Sequence, residues 1–441
     1  MADGSGADAG DVRPEATESR AYLGWVIVVL FFIQLFSIMD RLVLSVLGDD
    51  IKRDLGLSDS RLGFLLGFAF AAFYATVGIP IARLADRRSR RGVAAISVGL
   101  WSLATAASGL AQSFWQLALA RVAVGIGEAG GSPPSHSLVA DYFPPERRGR
   151  ALGFVSAGGS MGVLAGLFIG GHLGERIGWR ATFFVIGAAG LVFAAIIRLT
   201  LREPERGRFD APGVEREQQP LGTVLRFMLG LRSYVHLSLA ASLHSFAGYG
   251  ATAWTPIFLI RVHGLDKSDI ANTLAPISGV MGMLGILASG FAVDWLSKRD
   301  VRWYMWLPAA ASMIALPFSY GFLLAPNLYL AFALMLPSSL LGAVYAAPTW
   351  AMVQGLAKPA MRAVASAMTL LVLNFIGFGL GPWLVGILND GLASRYGDES
   401  VRYSLLIIGA FHLWGALHNW LAARTLREDL GASTEKEESA D

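Results

Sequence analysis

The chain has 441 residues, 54% of them hydrophobic and 16% charged, with 51 Gly, 12 Trp and no Cys. That is too apolar and Gly-rich for an ordinary soluble domain, and it excludes disulfides and thiolate metal sites while leaving the redox compartment open. The formal net charge of +3 comes with no clustered basic face, so no nucleic-acid partner is expected.

A polar tail, residues 1–22, opens the chain, and the apolar stretch after it is too long for the core of a cleaved signal peptide, so none is expected. A membrane-spanning helix needs about 20 mostly apolar residues. Stretches of that kind predict spans at 23–47, 62–82, 93–111, 115–140, 151–174 and 181–200. Residues 202–232 break the pattern with charge and with Pro204, Pro212 and Pro220, and read as a linker. Six more spans follow at 233–260, 271–293, 304–324, 328–354, 363–388 and 403–423. The expected architecture is an all-α, twelve-span membrane protein of two six-helix bundles, 23–201 and 233–424, with a polar tail at 425–441. The loops after spans two, four, eight and ten hold 13 basic residues against 9 in the loops on the other side, and the linker adds six Arg. This bias predicts a bacterial inner-membrane protein with both termini and the linker in the cytoplasm.

Span one carries Asp40 and Arg41 deep in its apolar run. Ionisable groups at that depth cost at least a few kcal/mol each, so they persist where they face a protein interior or a water-filled path and have partners. The loop after span two carries Asp86, Arg87, Arg88, Arg90 and Arg91, and its design returns 208 residues later as Asp294, Lys298 and Arg299 after span eight. Pro145 and Arg148 after span four are echoed by Pro359 and Arg362 after span ten. Two matched features at nearly one offset argue for duplicated halves. An Asp followed by basic residues at a helix mouth can bridge to a neighbouring helix and gate that side, although basic loops also serve simply as anchors.

The Asp86 and Asp294 loops, together with Arg121 of span four, resemble the major facilitator superfamily of secondary transporters over Leu23 to Leu426. The resemblance implies two six-helix bundles around a central cavity.

In span four Arg121, Gly125 and Glu128 fall at i, i+4 and i+7, which puts Arg121 and Glu128 on one face about 10 Å apart along the axis. Asp40 is expected to pair with Arg121 or Arg41. Glu128 has less obvious help, and it is the expected proton-carrying group, with Asp40 as the second choice. A set of permanent ion pairs that only fix helix register is the plainer alternative. Pro133 and Pro134 are expected to break the helical ladder, with His136 just beyond. The stretches Ser37 to Val46 and Arg121 to Asp141 resemble the Spinster family of lipid transporters, and also the anion:cation symporters of sugar acids and aromatic acids. The Spinster resemblance implies that Asp40, Arg41, Arg121 and Glu128 match that family's charged positions and that a sphingolipid or lysolipid is moved with protons.

Gly158, Gly162, Gly166 and Gly170 form a smooth stripe on span five, answered by Gly377, Gly381, Pro382 and Gly386 on span eleven. Gly153, Gly162, Gly166, Gly170 and Gly171 of span five resemble the antiporter-type motif of the superfamily, with Leu167 where that motif has Pro. The second half has no charge within its spans. It offers His244, Tyr249, Thr252, Trp254, Tyr345, Trp350, Thr369, Asn374 and Phe378 as an aromatic, sparsely polar wall. One charged wall, with Arg41 and Arg121, facing one aromatic wall suits an amphipathic anion or lipid.

The leading expectation is a monomeric, proton-coupled transporter of such an anion, needing no cofactor or metal beyond the proton gradient. An organic-acid symporter is the alternative within the class. A membrane enzyme lacks a converging nucleophile, base or metal set, and a non-transporting receptor or scaffold has no need of duplicated gating loops.

Overall fold

The structure is a computed structural model that describes residues 18–206, 208–209 and 219–434, and all regular secondary structure among them is helical. Span one is Arg20–Val46, begun by Ser19, whose hydroxyl accepts the Tyr22 N–H. A short helix, Gly48–Leu55, ends at Gly56 in the left-handed region at φ 60°. Span two is built from Asp59–Leu66 and Phe68–Arg87, interrupted at Gly67. Span three is Arg90–Ser108, capped by Ser89.

Span four does break, as its prolines foretell, but one turn earlier than they stand. Phe114–Glu128 ends in a turn at 129–131, and Ser132–Tyr142 restarts with the prolines in its first turn, where their missing N–H groups cost nothing. Spans five and six lie within the stretch Pro145–Thr200. At about 1.5 Å per residue it would be about 84 Å long if straight, against a hydrocarbon core of about 30 Å. Gly178, at φ 75° and ψ 168°, turns the chain between the two spans.

The second half runs as Arg232–His263 for span seven and Lys267–Ser297 for span eight, the latter widened to a π-helix at Ile277–Met281. Trp303–Leu324 is span nine, and Leu328–Gly342 with Ala346–Leu356 makes span ten. Span eleven joins Arg362–Val372, a π-helix at Leu373–Leu380 and Gly381–Tyr396, and Ser400–Gly409 with Phe411–Thr434 is span twelve. The π stretch ends two residues before Pro382, the residue that cannot donate to the ladder. The linker is less featureless than its sequence suggests. It holds the helix Leu221–Gly230, whose Val224 and Met228 are buried against the second bundle.

By length and composition, seven helical stretches among the described residues can cross a membrane, and Pro145–Thr200 and Val364–Ala432 each contain two spans. Spans three, four and seven fall outside that set: span four is broken into the short helices Phe114–Glu128 and Ser132–Tyr142, while spans three and seven carry buried polar groups, Ser97, Ser102 and Thr105 in one and Ser242, His244 and Ser245 in the other. The helices form an all-α, twelve-span fold of two six-helix bundles.

Span one packs on span five and span three on span six; span seven packs on span eleven, and the bundles meet mainly as span two against span eleven and span five against span eight. These pairings repeat between halves, as duplicated units require. One apolar core belongs to the first bundle with Phe378 added, another to the second bundle and linker helix, and a third joins both at the end away from the linker. There the backbones nearly touch. A Cβ on Gly67 would lie 2.6 Å from the Phe378 carbonyl oxygen, and one on Gly63 would lie 2.5 Å from that of Pro382. Along span five the same logic seats Gly158, Gly162 and Gly166 on the carbonyls of Phe31, Leu35 and Met39.

Candidate ion-pair site and its gates

Neighbours on a helix point about 100° apart, so Asp40 and Arg41 leave span one in different directions. Asp40 turns toward span four, where its Oδ2 accepts from Arg121 Nη1 at 2.7 Å and its Oδ1 accepts from Thr105 of span three at 2.7 Å. Arg41 reaches Glu128, donating from Nη2 at 2.7 Å and from Nε at 3.1 Å, and Ser37, one turn earlier, donates to the same Oε2 at 2.6 Å. The expected pairing of Asp40 with Arg121 is what the helices make. The expectation that Glu128 has little help is corrected: span one supplies it with both a guanidinium and a hydroxyl.

All four charges are deeply buried, with side-chain exposures of 1% and 2% for Arg121 and Asp40 and 8% and 0% for Arg41 and Glu128. A buried ion pair is a weak stabiliser beside apolar packing of equal volume, so two stacked pairs in one bundle call for a reason other than stability. Arg41 has the most varied surroundings. Its guanidinium carbon stands 4.3 Å from the ring centre of Phe70, 5.2 Å from Tyr74 and 5.2 Å from Phe378. Tyr249 meets Phe378 edge-on at 5.1 Å. Phe70 and Tyr74 come from span two and Tyr249 and Phe378 from the other bundle, so Arg41 lies at the seam. Glu128 Oε1 and Arg121 Nε are buried without a hydrogen-bond partner among the described residues.

Of the other residues read as cavity wall, the structure brings Phe378 and Tyr249 to this cluster. Trp254 is fully buried, and its indole N–H donates to the Pro382 carbonyl at 2.9 Å, locking span seven to span eleven. Asn374 donates to Leu370 O in its own helix at 2.9 Å, and His244 and Tyr345 meet as tilted rings 5.4 Å apart elsewhere in the second bundle. Ser37, Thr105, Phe70 and Tyr74 belong to the site and escaped the sequence reading. Ser37 had a signal, four residues before Arg41; Thr105 had none.

The residues read as gates divide. Asp86 and Arg87 have side chains outside the described residues. Arg90 is 3% exposed and sits in a socket within the first bundle. It pairs with Asp141 of span four, donates to Glu203 Oε1 at 2.9 Å, to Ser137 at 3.1 Å and to the Pro204 carbonyl at 3.0 Å. Arg91 donates to the Leu201 carbonyl at 3.2 Å. Glu203 is held below the usual carboxylate range: burial opposes its charge, but donors from Ser89, the Arg91 backbone and Arg90 outweigh it. In the second half Asp294 and Lys298 are exposed, and Arg299 stacks over Trp295 at 4.8 Å. The ion pairs there belong to Asp300, which binds Arg302 at 2.8 Å and Arg427 at 2.7 Å.

On the opposite face the charges cross between bundles. Arg261, at the end of span seven, binds Asp49 at 2.6 Å and Asp59 at 2.6 Å, while Lys52 binds the other oxygen of Asp59 at 2.6 Å. Lys267 binds Asp50 at 2.7 Å. Asp390 of span eleven accepts the backbone N–H groups of Asp59 at 2.9 Å and Ser60 at 2.8 Å, capping span two from the other bundle. The sequence reading missed this set because charged loop residues are ordinary there.

Stacked ion pairs inside one bundle, an aromatic seam between bundles and a charged latch on one face define a polytopic membrane transporter. The chain belongs to the Major Facilitator Superfamily, whose family model matches residues 30–382, and it is accordingly a transporter and not an enzyme. It is similar to an MFS-type efflux pump of Mycolicibacterium smegmatis, at 34% identity over 92% of this chain and 94% of that protein. A probable L-galactonate transporter of Escherichia coli is 31% identical over 62% of this chain and 61% of that one. Among solved structures, a bacterial homolog of the human lysosomal transporter Spinster, inward-facing and unoccupied, superposes with a TM-score of 0.85 at 31% identity, covering 93% of this chain and 99% of that one.

Proposed function

We propose that the protein is a proton-coupled secondary transporter, working as a monomer, that moves an amphipathic organic anion of the sphingolipid or lysolipid kind by alternating access. The observation that carries this reading is Arg41: one guanidinium is shared between a buried carboxylate and aromatic rings drawn from both bundles. Glu128 is the proton-carrying group, with Asp40 as the second choice, and Arg41 and Arg121 are their charge partners. Protonation of Glu128 removes the charge that holds Arg41, and the guanidinium, still faced by Phe70 and Tyr74, becomes available to an anionic head group. The apolar body of the solute lies against Phe378 and Tyr249. Two pairs in parallel allow Asp40 and Arg121 to hold the helices in register while the other pair exchanges partners.

With the linker and both termini in the cytoplasm, as the basic-loop bias implies, the latch on the other face closes the outside. The likeness to the Spinster homolog supports the lipid-like class. The likeness to the L-galactonate transporter favours a second reading, symport of a sugar acid.

Reconstitution in liposomes with an imposed pH gradient separates the two. Lysolipid flux that follows the gradient and falls at least tenfold in Glu128→Gln is the expected result. Gradient-driven uptake restricted to sugar acids would replace the lipid reading, and flux indifferent to both the gradient and Glu128→Gln would remove proton coupling.

A further inference from the structure

Four of the seven histidines meet at one helix interface, between spans seven and twelve. His236 and His418 face each other Nδ1 to Nδ1 at 2.9 Å; about 12 Å further along span seven, His244 and His412 do the same at 3.2 Å. His244 is 1% exposed and lies flat on Gly415, where a Cβ would fall 2.7 Å from the ring. Its Nε2 is 3.0 Å from the side-chain amide of Asn419, Ser312 of span nine stands 3.4 Å from its Nδ1, and Tyr345 of span ten covers its face. The titratable groups facing His244 are therefore His412 and Tyr345. Ser312 donates to Pro308 O at 2.8 Å, which leaves its oxygen as an acceptor.

We infer that the second bundle holds a proton-binding site of its own, the His244–His412 pair with Asn419, built to accept one proton and no more. In the neutral pair a single hydrogen lies between the two Nδ1 atoms, one imidazole donating and the other accepting. With His244 as the Nδ1 donor, its Nε2 is bare and accepts from the Asn419 amide. A proton added at that Nε2 needs only a half-turn of the Asn419 side chain, which then presents its carbonyl oxygen. Every donor in the imidazolium is satisfied: Nε2–H to Asn419 and Nδ1–H to His412. The Tyr345 ring face adds cation–π support. A second proton would point two N–H groups at each other across 3.2 Å, and the pair would part. His236 and His418, half-buried and nearer the linker face, repeat the one-hydrogen contact.

A metal ion fits less well, since among the described residues no three His, Asp or Glu side chains converge to hold one. The site is separate from the Glu128 cluster and binds its proton whether or not that cluster drives transport.

Histidine-selective nitrogen-15 NMR of the full-length protein in nanodiscs, titrated from about pH 8 to about pH 5, reads the site without any transport assay. The resonances of His244 and His412, assigned by their loss in His244→Gln and His412→Gln, should move together with a combined uptake of about one proton. In Asn419→Leu, which leaves Nε2–H without an acceptor, the midpoint should fall by roughly one pH unit. Two neutral rings at about pH 5 in folded protein, or two independent protonations, would overturn the site; the wild-type titration decides this even if a variant fails to fold.

Discussion

The two faces of the molecule use the same chemistry to opposite ends. On the linker face, Arg90 ties the first bundle to itself through Asp141 and to the start of the linker through Glu203, and Asp300 with Arg302 and Arg427 holds the second bundle. On the other face, Arg261, Lys267 and Asp390 reach across to Asp49, Asp50, Asp59 and the first turn of span two. What an ion pair does here depends on which rigid body each partner belongs to. Pairs within a bundle set its stability; pairs between bundles set the equilibrium between states.

That distinction can be broken most sharply at Arg261. Removing it with Arg261→Ala leaves Asp49 and Asp59 without their cross-bundle cation, which should cost the closed state about 3 kcal/mol. Spin-label distances across that face should lengthen while the melting temperature of each bundle holds; an unchanged distance distribution would show that the apolar seal alone keeps the face shut. Arg90→Ala should do the reverse. It empties a buried socket and should lower stability by about 2 kcal/mol in a thermal melt, without moving the spin-label distances.

Asp390→Asn sharpens the comparison at smaller scale. It weakens the cap on span two from the other bundle, an effect of about 1 kcal/mol that should appear as partial opening in the same distance measurement. The smallest effect is pH dependence on the linker face. Because the native Glu203 carboxyl titrates below its usual value, its contribution is complete above the ordinary Glu value of about 4.3 and is lost as pH falls through the lower folded value. The melting-temperature gap between wild type and Glu203→Gln should be widest near neutrality and close below about pH 4; a gap that persists there would assign the stabilisation to packing.

Single residues show what a sequence reveals here and what it hides. Asp40, Arg41, Arg121 and Glu128 stood out because charge is anomalous inside an apolar run, but their pairing depended on how spans one and four face each other, which no spacing encodes. Arg90 was legible as important and misleading as to role, since its partners Asp141 and Glu203 lie 51 and 113 positions away. Asp49, Asp59, Arg261 and Asp390 were invisible for the converse reason: charge in a loop is unremarkable until two loops meet. Trp254 shows a third limit, because an aromatic side chain in an apolar span reads the same whether it lines a path or wedges two helices together. The twelve-span count survived because burial in lipid demands continuous apolar length, a property of the chain rather than of its contacts.

Gly63 and Gly67 lay the backbone of span two directly on the carbonyls of span eleven, with no flexible side chains between to cushion the contact. Such a seam cannot widen a little at a time, because its close contacts are lost together once the backbones separate. Separating the bundles at this seam has to break those contacts together, so the glycines set how abruptly the two halves can part.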